Sequence, residues 1–186
     1  MARRGLDQLA ILQAAIEIID RIGFRSLTMA SLAQKLNIKT PSLYNHIESL
    51  DHLRNRLALH GLIKLRDRMT DAAVGSKGEE AILEIGQCYV EFVRLHPGLY
   101  EAAMAAGPDA SSDIKAAGED IVNLLLKVLK PFNLNEVEAL HTVRGLRSIV
   151  HGFSSLEQWG GGFNLTLDVN ESLRHLLNTY LRGIKV

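Results

Sequence analysis

The sequence predicts an all-α protein, and three observations carry that expectation. Apolar residues recur at spacings of three and four over most of the chain, alternating runs typical of strands are missing, and aromatic residues make up only 5%. The chain has 186 residues, 47% of them hydrophobic, enough to bury a real core. At ~100–200 residues per domain that length holds one mid-sized domain, or a small one joined to a larger one.

The elements follow in order. A first helix is expected over about 7–22, with Leu9, Leu12, Ile16 and Ile19 on one side and Ile11, Ala14 and Ile18 on the other. A helix apolar on both sides is sandwiched between layers, and Gly23 ends it. Thr28 is placed to cap a second helix through Leu36, with Leu32, Ala33 and Leu36 inward. Asn37 then tolerates the left-handed conformation of a tight turn. Thr40-Pro41 reads as an N-cap followed by proline at the first helical position of a short third helix carrying Leu43 and Ile47. Ser49 is placed to cap a long fourth helix over about 50–70. Gly75-Ser76-Lys77-Gly78 marks a boundary between layers. Further helices are expected over about 79–95, 98–105, 111–130, 135–158 and 168–184, punctuated by Pro97, Gly107-Pro108, Pro131 and Gly160-Gly161-Gly162.

Charge divides the chain. Residues 1–66 carry ten Lys/Arg against five Asp/Glu, a net of +5, and residues 67–186 carry a net of −5. A basic first third suggests that it meets a polyanion and that the remainder does not. The single Cys88 excludes a disulfide framework and a cysteine-based metal site. The seven His include no pair four apart, so no helical zinc site is expected; His141 or His151 reads rather as a hydrogen-bonded structural residue. Neither a nucleophile-elbow motif nor a P-loop occurs, so no catalytic role and no cofactor are expected. No apolar run reaches the ~18 residues of a membrane span, and Met-Ala-Arg-Arg-Gly lacks the apolar core of a signal peptide. A cytoplasmic protein with no membrane partner is the expectation, and the sequons at Asn164 and Asn170 then carry no weight.

Residues 28–47 form the segment with functional content: a helix, a tight turn and a short second helix around Leu32, Leu36, Ile38, Leu43 and Ile47. Such a second helix can lie in the major groove of DNA. With Leu43 inward, the ~100° step of a helix puts Ser42 and Asn45 outward. Lys39 and Thr40 stand at its N-terminus, where backbone N–H groups favour phosphate. Any pair of antiparallel helices needs the same small, apolar and capping residues; the +5 charge is what favours DNA.

Gly23-Phe24, Ser26-Leu27-Thr28-Met29, Leu32-Ala33 and Pro41-Ser42-Leu43-Tyr44-Asn45-His46-Ile47, followed by Leu53, resemble the TetR family of bacterial transcriptional repressors. The resemblance covers about 1–66 closely, and the Leu-Tyr-x-His-hydrophobic string is its specific part. It implies an N-terminal three-helix DNA-binding domain over 1–66 and a ligand-binding and dimerisation domain over 67–186. It implies a homodimer on a palindromic double-stranded operator, released by a small-molecule inducer. By position it implies that Thr28, Lys39, Thr40, Ser42, Tyr44, Asn45 and His46 face DNA, with Tyr44 and His46 on phosphates and Lys39, Thr40, Ser42 and Asn45 as base readers. Asn37 stands where the family has glycine, and Leu50 where it has lysine at the start of the fourth helix. The second departure removes one phosphate contact, for which Arg54 is the nearby substitute.

The second half is less specific. Val150-His151-Gly152-Phe153, Leu156-Glu157 and Gly162-Phe163 are similar to a TetR subgroup named for a Trp-His-Gly signature, although Arg147 stands where the tryptophan is expected. On that helix His141, Arg144, Ser148, His151 and Ser155 fall within about 80° of arc, with Gly145 and Gly152 beside them. Small residues on one stripe allow close helix approach, so Gly145, Ser148 and Gly152 are expected at a dimer interface. Leu173, Leu177 and Tyr180, with Leu176, Leu181 and Ile184, give the last helix an apolar stripe that can complete it. The alternative is that this stripe packs inside the monomer. Tyr89, Phe92, Tyr100 and Met104, with Trp159 and His141, are candidates to line a pocket for a hydrophobic or aromatic inducer. The same residues at the same spacing also serve as plain core. Two other readings remain: an all-α small-molecule-binding or enzymatic protein without operator contacts, and an activator without an inducer. The basic 1–66 segment is what a pure metabolite binder would not need.

Overall fold

The computed structural model describes residues 7–107, 109–158, 160 and 166–184. Every regular element among them is helical. Helix α1 spans Gln8–Ile22, capped by Asp7, whose carboxylate accepts from Ala10 N at 2.6 Å. It stops at Gly23, whose φ of +88 favours a residue without Cβ and whose N–H donates to Ile19 O. A 3-10 turn at Phe24–Ser26 leads to α2, Met29–Lys35. There Thr28 and Ser31 close a reciprocal capping box. Asn37 adopts a φ of 53, the left-handed turn expected of it.

Helix α3 is Thr40–Leu43, and here one expectation needs correction. Its N-cap is Lys39, with no side-chain cap bond, so Thr40 and Pro41 are the first two helical residues. Lys39 keeps an extended backbone, φ −81 and ψ 141, so the helical turn begins one residue earlier than Thr40 as a cap implies. Helix α4 runs Leu50–Ala72, with Ser49 Oγ accepting from His52 N.

Then follow α5 (Glu79–Leu95), α6 (Pro97–Met104) and α7 (Ser112–Leu129). Helix α8 (Glu136–Gln158) and α9 (Val169–Ile184) complete the described chain. Asn135 and Glu138 cap α8 reciprocally, and Asp168 caps α9. Pro108, Trp159, Gly161, Gly162 and Phe163 lie outside the described residues.

The described chain forms two compact units, both discontinuous in sequence: one from residues up to 63 with 96–115, the other from 64–95 with 116 onward. In the first, α1 is buried on both sides, as its double apolar pattern predicts, between α2 and α6. Only Leu9, 73% exposed, departs from that pattern. In the second, α5 is central, packing on α8 and α9. Gly86 makes that approach possible: a Cβ there would lie 2.6 Å from Leu177 Cδ1 of α9.

Candidate nucleic-acid interface

The α2–turn–α3 segment rests on Met29, Leu32, Ala33, Leu43 and Ile47, all buried, with Leu36 and Ile38 half-buried at the turn. Ile38 N donates to Ala33 O at 3.0 Å, closing the end of α2 around the left-handed Asn37. Beyond α3 the chain keeps helical bonds to Ile47, whose N–H reaches Leu43 O at 2.9 Å. With Leu43 fully buried, Lys39, Ser42, Tyr44 and Asn45 are exposed, and Thr40 and His46 are half-buried. Tyr44 is the conspicuous one, an aromatic side chain 57% exposed. Thr28 is exposed too, but its hydroxyl is already engaged with Ser31, so it fixes the start of α2.

The lysines of this region divide. Lys35 Nζ lies 2.7 Å from Glu17 Oε2 of α1 and holds that carboxyl below its usual range, tying α2 to α1. Lys39 has no ion-pair partner among the described residues and stands beside α3. Arg54, the nearby substitute for the lysine missing at Leu50, makes two local contacts. Its Nη1 lies 3.1 Å from Asp51 Oδ1, and its guanidinium sits 5.9 Å from the Phe24 ring centroid.

Two carboxylates unnoticed in the sequence fasten α6 to this unit. Asp20 of α1 accepts from Leu99 N at 2.9 Å, capping α6 from outside, and lies 3.1 Å from His96 Nδ1. Glu101 of α6 accepts from Phe24 N at 3.0 Å. Nothing in the sequence of α1 sets Asp20 apart from its charged neighbours Glu17 and Arg21.

In the second unit the expected interface residues separate. Leu173 and Leu177 are 1% and 0% exposed within the single chain, Leu177 against Gly86 of α5, so they have no surface left for a partner. Gly145 also serves the interior: a Cβ there would collide with the Tyr180 ring, whose hydroxyl donates to Thr142 O at 3.4 Å. Ser148 is exposed, and Gly152 has open space where a side chain would go. The outward face of α8 thus holds His141, Arg144, Ser148 and His151, flanked by exposed Val137, Leu140 and Leu156; on α9 Leu176 is 42% exposed.

The expected pocket lining is drawn from both units. Tyr89 and Phe92 are core residues of the second unit, with Phe92 at 0% exposure, whereas Tyr100 and Met104 belong to the first. His141 is exposed on α8. Tyr89, Phe92 and Tyr100 are all buried. Cys88 is half-buried, and burial pushes its thiol above the usual range despite nearby Arg68, so it is a poor nucleophile at neutral pH. No described helix is long and apolar enough to cross a membrane.

Comparison with known proteins accords with this geometry. A family profile described as "Tetracyclin repressor-like, C-terminal domain" matches residues 82–180. The chain is 40% identical over 185 residues to the HTH-type transcriptional regulator YobS of Bacillus subtilis, covering 99% of this chain and 95% of that one. Among solved structures, a protein of unknown function from Rhodococcus sp. RHA1 superposes with a TM-score of 0.86 at 18% identity, each chain covered completely. TetR-Q116A from Acinetobacter baumannii, solved in complex with minocycline, superposes at 0.70 with 17% identity and 97% of each chain covered. These structures share the fold. The profile over the second half, the near full-length likeness to a helix-turn-helix regulator and the helix pair with its exposed polar face together place the chain in the TetR family of DNA-binding transcriptional regulators.

Proposed function

We propose that this chain is a homodimeric, ligand-responsive repressor that reads a palindromic operator through α3, without catalytic activity. The observation that carries the reading is the exposed polar face around α3: Lys39, Ser42, Tyr44 and Asn45 outward over a buried Leu43. In a helix-turn-helix such a face enters the major groove, with neighbouring residues on phosphate. Tyr44 and His46 take the phosphate role, and Lys39, Thr40, Ser42 and Asn45 read bases. Residues 1–66 act as the DNA-binding domain and 67–186 as the dimerisation and effector domain. A second copy packs on the outward face of α8, where Leu140 and Leu156 leave apolar surface that a partner would cover.

The fold-sharing TetR-Q116A was solved with minocycline, which supports an effector for this chain as well. An effector acts only through its differential affinity for the DNA-binding and released states. Work on DNA implies a cytoplasmic location. Recovery of genomic DNA bound to the full chain tests the reading. Expected is a small set of fragments sharing an inverted repeat, bound by the parent and lost with Lys39→Ala. Recovery of random fragments, or retention by that variant of parental affinity and specificity, would overturn the assignment to α3.

A further inference from the structure

Between Thr28 and Ile47 the chain carries two lysines, Lys35 and Lys39, and their surroundings differ. Lys39 is exposed beside α3 and has no ion-pair partner among the described residues. Lys35 Nζ lies 2.7 Å from Glu17 Oε2 of the neighbouring α1. The two side chains of that pair are 44% and 49% exposed, so a duplex passing α2 can reach the lysine. Attraction rather than burial makes the pair. Lys35 holds the Glu17 carboxyl below its usual range, first by hydrogen bond and then by charge, with a small addition from Gln13.

The place of Lys35 on α2 gives the pair its consequence. At ~100° per residue, Thr28, Ser31 and Lys35 fall within about 60° of arc, whereas Met29 and Ala33 are buried on another side. The first helix of a helix-turn-helix crosses the backbone of the duplex. A free lysine on the stripe that begins at Thr28 would meet phosphate there and add affinity for any sequence. Bound to a carboxylate it adds none, because the pair is neutral and Glu17 repels the phosphate that would displace it. Other cations of the first unit are answered likewise: Arg25 Nε lies 3.6 Å from Glu101 Oε1, and Arg54 Nη1 3.1 Å from Asp51 Oδ1. The +5 charge of residues 1–66 therefore exceeds what is available to phosphate.

We propose that Glu17 is a positioning residue that withholds Lys35 from the DNA backbone, holding down the chain's grip on duplex of any sequence. Contact is then made chiefly through α3, where Lys39 stands unpaired. The inference rests on the reading of α2 and α3 as the DNA face and deepens it, since it concerns the sequence-independent part of the affinity. Glu17 touches no DNA itself; it acts through the lysine.

Fluorescence anisotropy of the full chain on a random duplex, across roughly 50–200 mM salt, tests it. Glu17→Gln should bind more tightly than the parent, with a salt slope steeper by ~0.9 for each copy on the duplex. Its advantage should therefore shrink about 3.5-fold per copy over that range. Glu17→Gln with Lys35→Gln removes a neutral pair and should return affinity and slope to parental values, and Glu17→Asp, which keeps the charge, should stay there. Glu17→Ala serves if Glu17→Gln does not fold. A double variant as tight as Glu17→Gln would show that the gain does not come from Lys35. A double variant weaker than the parent, with a shallower slope, would show that Lys35 already meets phosphate. A lower melting temperature in Glu17→Gln with no change of slope would reduce the pair to a tie between α1 and α2. Each of these results overturns the inference and leaves the reading of α3 intact. A parent that binds no duplex overturns both.

Discussion

At the scale of single residues, Tyr44 and Lys39 carry the DNA reading, and they make different predictions. A phenol hydroxyl on phosphate contributes about 0.5–1.5 kcal/mol, so Tyr44→Phe should weaken operator and random duplex alike. Lys39→Ala has two separable outcomes. If the lysine meets phosphate, affinity falls on all sequences and the salt slope drops by ~1; if it reads a base, discrimination falls by ~1–3 kcal/mol. Fluorescence anisotropy against both duplexes across a salt series distinguishes them. Cys88 gives a check of another kind. Its thiol is raised in the folded chain, chiefly by burial, so folding favours the protonated form. That contribution to stability is present below the unfolded thiol pKa and is lost as pH rises through the folded one. Alkylation by iodoacetamide at mildly alkaline pH should therefore be slower in the native protein than in the urea-unfolded chain. Equal rates would contradict the burial.

At the scale of elements, α6 is fixed to α1 by a backbone contact and the Asp20 carboxylate, and to the 3-10 turn at Phe24–Ser26 by Glu101. Gly98 lies against the Ile19 backbone so closely that a Cβ would collide with the Ile19 carbonyl. Gly98→Ala should therefore destabilise the chain by about 1–3 kcal/mol or more, since backbone cannot yield as a flexible side chain does. Asp20→Ala removes the external cap of α6 and should cost about 0.5–2 kcal/mol. Urea unfolding measures both; a midpoint unchanged in either variant would remove that contact from the account. The positions of the helices were legible because caps and stops are local: Gly23, the Thr28 box and Asn37 each act within a few residues of where they stand. The partnership of α1 with α6 was not legible, because Asp20 and Leu99 are 79 residues apart and nothing local marks the pair. The stripe on α9 was ambiguous for a related reason. Periodicity shows that Leu173 and Leu177 are buried, but not whether the cover is α5 of the same chain or a second copy. Gly86, small enough to admit Leu177, decides for the same chain.

At the scale of the whole molecule, the exposed face of α8 and the exposed face around α3 make one connected claim: two copies, each presenting one reading helix. Gly152 tests the first half. Nothing lies within 4 Å of a Cβ placed there, so Gly152→Leu leaves the single chain room to fold while filling the space a partner helix would enter. Sedimentation should show a dimer for the parent and a folded monomer for the variant; a dimer of undiminished stability would move the interface elsewhere. The second half is tested most directly by selecting bound sequences from a random duplex pool. A two-fold dimer reading successive major grooves should enrich two inverted half-sites, their centres ~10 base pairs or a multiple apart. Substituting Lys39 or Asn45 should change the bases selected within each half-site and leave their spacing unaltered. Enrichment of a single unrepeated site, or no enrichment over the starting pool, would contradict the account.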